Sequence, residues 1–90
     1  MANNKFQGQI KGPFNAGEEL MNLIKADAAI EVSYVTHLGV QTETPYYIQI
    51  NGESVEIGKT GIYEIGNTEI TSIIFEQDVD DNTIIDYVIQ

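Results

Sequence analysis

Asp78, Asp80 and Asn82 place side-chain oxygens at alternate positions, the spacing with which a calcium-binding loop begins. Thr83 stands where that loop needs its glycine, and Ile89 where it needs a bidentate glutamate, so the EF-hand pattern fails. A solvated acidic turn is expected, and a cation site of another type stays open. Gly58-Lys59-Thr60 has the ending of a phosphate-binding P-loop, but Glu53 occupies the position of its first glycine. The residues that follow read as a strand, so no helix N-terminus is offered to phosphate.

His37 is the only histidine, and the full nucleophile-elbow pattern of two glycines surrounds none of Ser33, Ser54 and Ser72. The paired carboxylates Glu18-Glu19 and Asp80-Asp81 lie at a helix start or in a polar turn, where little would raise a pKa. No catalysis is expected, and no catalytic, cofactor-binding or metal residue is assigned. Tyr34, Tyr46, Tyr47 and Tyr63 suggest a sugar-stacking platform, since aromatic faces beside amides and carboxylates suit carbohydrate. The strand register turns Tyr46 and Tyr63 toward the core and leaves only Tyr47 on the wet face. A carbohydrate-binding β-sandwich module that takes a host-surface glycan through Tyr47 is the alternative reading.

The elements around these residues follow from pattern. Asn51-Gly52 between alternating apolar residues is a strong hairpin signal, because a type I′ turn needs positive φ at both central positions. That turn sets Ile48 opposite Val55 and Tyr46 opposite Ile57. A three-residue loop of Lys59, Thr60 and Gly61 would then place Tyr63 beside Ile57 and Ile65 beside Val55, giving a three-strand meander. Gln49, Ser54, Glu56 and Glu64 fall on its wet side.

Before the hairpin, Asn15 is positioned to cap a helix over about 16–26, with Glu18 as the reciprocal partner and Leu20, Met21, Leu23 and Ile24 on one stripe. From Ala29 the period becomes two, with Ile30, Val32, Tyr34, Thr36 and Leu38 on one face and Val35 and His37 on the other. Residues 39–45 read as loop, 66–69 as a turn, 70–75 as a strand, 77–82 as an acidic turn and 83–90 as the last strand. The expected fold is mainly β, a small antiparallel β-sandwich or meander with one short N-terminal helix. Residues 1–14 form an arm, or a short strand with loops, and 15–90 a single β-rich domain.

Ninety residues with 42% hydrophobic content suit one small domain whose stability is marginal unless a partner adds to it. There is no cysteine, which excludes disulfides and thiolate metal sites. Fourteen acidic residues against four lysines give a net charge of −10, and no basic residue follows Lys59. Such a surface repels phosphate, so neither nucleic acid nor anionic membrane is an expected partner. No apolar run is long enough to span a bilayer or to act as a signal segment, and a soluble, non-exported acidic protein is expected.

Ile84-Ile85-Asp86-Tyr87-Val88-Ile89 is apolar on both faces. An antiparallel strand over one core alternates with polar residues, so this one needs cover on its second side, from the helix or from another chain. Ile84, Ile85, Tyr87, Val88 and Ile89 are therefore the candidate interface.

The strings Glu31–Val40, Ile48–Gly52 and Gly61–Ile65, and Ile73-Ile74-Phe75 leading to Ile84–Val88, together resemble small virion-associated proteins of tailed phages and prophages of Gram-positive bacteria. In those proteins a Gly-hydrophobic-aromatic-Glu strand precedes an isoleucine-rich strand and a terminal Ile-Asp-aromatic strand. The resemblance spans the last two thirds of the chain in pattern more than identity. It implies a structural role on the particle, as a head-fibre, decoration or tail-accessory piece. Other virion proteins or further copies of the chain would be its partners, in a homo-oligomer found in the virion, or in the bacterial cytoplasm before assembly. It implies no catalytic residues.

Overall fold

A computed structural model describes residues 7–29, 31–58 and 62–89. The elements are β1 (Gln7–Lys11), α1 (Leu20–Ala28), β2 (Val35–Gln41), β3 (Tyr46–Ile50), β4 (Glu53–Ile57), β5 (Ile62–Ile70), β6 (Ile73–Phe75) and β7 (Ile84–Ile89). They form two antiparallel sheets, a four-stranded one in the order β1-β7-β2-β5 and a three-stranded one in the order β4-β3-β6. One core joins them, and α1 adds Leu20, Met21 and Ile24 to it. The mainly β, sandwich-like fold with one short helix is the expected one.

The Asn51-Gly52 hairpin has the expected register, with Tyr46 opposite Ile57 and Ile48 opposite Val55, and with φ of 52° and 88° at the two turn residues. The third strand is a correction. β5 does not continue the meander but pairs with β2 in the other sheet, and β3 instead takes β6, with Ile48 facing Phe75 and Ile50 facing Ile73. The expected loop at 59–61 lies outside the described residues. The physical reason for the change is burial: Ile73 and Phe75 are fully buried, whereas Tyr63 and Ile65 are half-buried, so β6 is the better cover for β3. Phe75 completes an aromatic cluster, stacked on Phe14 and edge-on to Tyr46, each at a centroid distance of 5.9 Å.

Other boundaries move. The helix begins at Leu20, four residues later than expected, because Glu19 is its N-cap and its side chain accepts from the Met21 N–H. Glu18 does reach back to the Asn15 N–H, but that exchange closes a turn ahead of the helix. β2 starts at Val35 rather than Ala29 and runs to Gln41, into the expected loop. Thr36 is an extra residue against β7, since Val35 pairs with Ile89 and His37 with Val88. This bulge reverses the parity, so Val35 is buried with Leu38 and Val40, while His37 faces outward. The expected turn at 66–69 is likewise a bulge within β5, with Asn67 at φ 55°. The segment 70–75 breaks at Thr71-Ser72, where the chain leaves one sheet for the other.

Residues 7–14, expected as an arm or as a short strand with loops, take the second form and belong to the domain: β1 pairs with β7, and Phe14 is buried and bridges to Val79. Helix α1 packs against β1 and β6, the outer strands of the two sheets on one side. The opposite side, between β4 and β5, keeps a cleft of about 240 Å³ lined in part by Val55, Tyr63 and Ile65. These are the residues that the meander reading had set in adjacent strands; they meet across a seam between sheets instead.

Candidate functional surfaces

β7 is a central strand, not an edge, and its side chains alternate cleanly. Ile85, Tyr87 and Ile89 point into the core and are buried within the single chain. They are core residues here, which removes them from the candidate interface. Ile84 and Val88 lie half-buried on the outer face with Asp86 between them.

The pairing partners of these positions share that face. Along one row stand Lys11, Ile84, Gln41 and Ile62; along the next, Gln9, Asp86, Gly39 and Glu64; along the third, Gln7, Val88, His37 and Gly66. Ile62, 56% exposed, and Ile84 therefore flank Gln41 on neighbouring strands. They also line a hollow of about 560 Å³ with Thr42, Glu43, Gly58 and Asn82. Gly39 stands in the middle of this face, where a Cβ would make ordinary contacts, 3.7 Å from the Asp86 side chain and 3.8 Å from Cγ of Glu64.

The outer face of the three-stranded sheet is polar. Tyr47 is 48% exposed, opposite Glu56 and near Gln49, Ser54 and Glu76. Glu76 accepts from Ser54 Oγ at 2.5 Å and from Gln49 Nε2 at 3.5 Å. Gln77 accepts from the Tyr47 N–H and donates to its carbonyl, both at 3.0 Å, so the backbone under the ring is fixed. Of the four tyrosines weighed for sugar stacking, Tyr46 is in the core, Tyr63 lines the seam, and Tyr34 lies in a groove with His37 on the other sheet. They form no common platform.

The acidic turn is committed internally. Asp78 accepts from the Ala16 N–H at 2.9 Å; Asp80 accepts from the Asn82 N–H at 2.9 Å and from the Tyr46 hydroxyl at 3.0 Å. No group of three or more histidine and carboxylate side chains among the described residues is arranged to hold a metal ion. Tyr87 donates to Asp27 at 2.5 Å, and its phenol is pushed up to about 12 by burial, then by the hydrogen bond to the Asp27 carboxylate and its charge.

Two polar residues do structural work that the pattern did not show. Asn51 Oδ1 accepts from the Thr71 and Ser72 N–H groups and from Thr71 Oγ1, while Nδ2 donates to the Glu69 carbonyl. Glu19 accepts from Ser72 Oγ and from the Ile73 N–H, both at 2.7 Å. The crossover between the sheets is thus held from both sides. Its partners lie 18 or more residues away, beyond the reach of any local motif.

Comparison with protein families, with curated proteins and with solved structures gave no match. Among the described residues no helix is long and apolar enough to cross a membrane.

Proposed function

We propose that this chain is a structural or assembly protein of a phage or prophage particle, working through contacts with other virion proteins or with further copies of itself. The observation that carries the contact reading is the outer face of the four-stranded sheet, where Ile62 and Ile84 flank Gln41 beside an open hollow. Large apolar side chains gathered on a surface favour a covering partner. The virion setting rests on the resemblance of the strand sequences to phage and prophage proteins. In this reading the protein performs no chemistry, and the bacterial cytoplasm is where it waits before assembly.

The test is mass in solution across a range of concentrations, together with the protein content of purified particles. A closed oligomer that Ile84→Asp dissociates while its circular dichroism stays native supports the reading. A chain that stays monomeric and is absent from particles overturns it.

A second reading, a carbohydrate-binding module, draws on Tyr47, whose half-exposed ring stands among Glu56, Gln49 and Glu76. It calls for a tyrosine-fluorescence shift with host-surface glycans that Tyr47→Ala abolishes.

A further inference from the structure

We infer that copies of this chain associate head to tail by sheet extension, the β1 edge of one copy adding to the β5 edge of the next. This rests on the assembly reading above and names the surface and the occupant, a second copy. Among the described residues β1 pairs only with β7 and β5 only with β2, so each presents one free edge of the same sheet. Neighbouring strands in that sheet alternate in direction, so β1 and β5 run oppositely. A second copy placed beside the first by translation therefore brings β1 antiparallel to β5, and the eight strands continue one uniform antiparallel sheet.

Charge selects this pairing over the others. β5 carries Glu64 and Glu69, and the β4 edge of the other sheet carries Glu53 and Glu56. Like charges directly opposite are unfavourable across strands, which disfavours β5 on β5, β4 on β4 and β5 on β4. β6 has only three residues and is bridged at Ile74 by Glu19. β1, Gln7–Lys11, has no carboxylate and is the one edge strand that carries a lysine.

Side-chain parity then fixes the register. Lys11 and Glu64 belong to the outer face, and Ile10 and Ile65 to the inner one. Setting Lys11 opposite Glu64 places Ile10 opposite Ile65, so one alignment yields both an ion pair and an apolar pair. Ile10 and Ile65 are each half-buried in the single chain, which leaves surface for this contact to cover. A contact of this kind is heterologous, so copies build a ring or a filament according to the rotation between them.

The experiment is a charge-swap series read by sedimentation or light scattering on the full chain. Lys11→Glu and Glu64→Lys are each expected to raise the dissociation constant roughly 2- to 30-fold, the effect of losing an exposed cross-strand pair and gaining a repulsion. Mixing the two variants, or combining them in one chain, is expected to restore association, and added salt to weaken it in the wild type. Both positions are outward-facing, and native circular dichroism of each variant shows that its fold is kept. A wild type that assembles but is indifferent to both swaps, while Ile84→Asp still dissociates it, overturns edge pairing and leaves the assembly reading in place. A monomeric wild type that is nevertheless incorporated into particles does the same.

Discussion

Replacing Asn51 by glycine separates the two roles of that residue. Glycine accepts the left-handed conformation of the turn, so the hairpin can still form. What disappears is the clasp: three hydrogen bonds accepted by Oδ1 from Thr71 and Ser72 and one donated by Nδ2 to Glu69, at 2.8 to 3.2 Å. A protein hydrogen bond contributes about 0.5–1.5 kcal/mol net, and these are exposed, so the lower end applies and the set is worth about 1.5–3 kcal/mol. The added freedom of glycine in the unfolded chain costs a further ~0.5–1 kcal/mol. Asn51→Gly should thus lower stability by about 2–4 kcal/mol, a large part of the total of a domain this size. Asn51→Asp keeps the accepting oxygen and loses only the donor, so it should cost about 1 kcal/mol. Urea unfolding measures both, with an unchanged m-value expected because the native surface is the same. If Asn51→Gly unfolds within about 0.5 kcal/mol of wild type, the asparagine is there for its turn alone and the clasp reasoning is wrong.

Glu19→Ala removes the helix N-cap together with the ties to Ser72 and Ile73, and should destabilise by about 2–4 kcal/mol in the same urea assay, with Glu19→Gln losing less. Tyr87 holds its proton more tightly in the folded chain, with a pKa raised from 10.0 to about 12, so the stability it contributes is complete below pH 10 and is lost as pH rises toward 12. Tyr87→Phe should therefore flatten the fall in melting temperature across that interval, while lowering stability by about 1 kcal/mol at neutral pH through the lost bond to Asp27.

The sequence disclosed those elements whose pattern is local. Asn51-Gly52 gave the β3–β4 register residue by residue, and the alternation of 84–89 gave a strand. It did not disclose pairings decided by what covers what. Nothing near Ile62 says that β5 leaves its hairpin neighbour for β2, because the competition with β6 is settled by the depth at which Ile73 and Phe75 are buried. The face of Val35 departs from the expected alternation for a similar reason, since the one extra residue at Thr36 shifts it relative to Leu38 and Val40. The two-faced look of β7 resolved into three core residues and an outer pair with an aspartate between them. Lys11 is locally one more polar residue in a polar segment, and it gains meaning only beside the chain direction of β1 and β5.

The central position of β7 bears on how the chain folds. Its two neighbours, β1 and β2, come from residues 7–11 and 35–41, whereas β7 itself comes from 84–89. During synthesis β1 has no strand to pair with until almost the whole of this sequence has left the ribosome, and β2 has only β5. The β3–β4 hairpin can close early, but the larger sheet must wait for its middle. Contacts between such distant residues slow folding, and the interval leaves Leu38 and Val40 of β2 without the strand that will lie beside them. The acidic composition, which repels one unfinished chain from the next, is well suited to that interval.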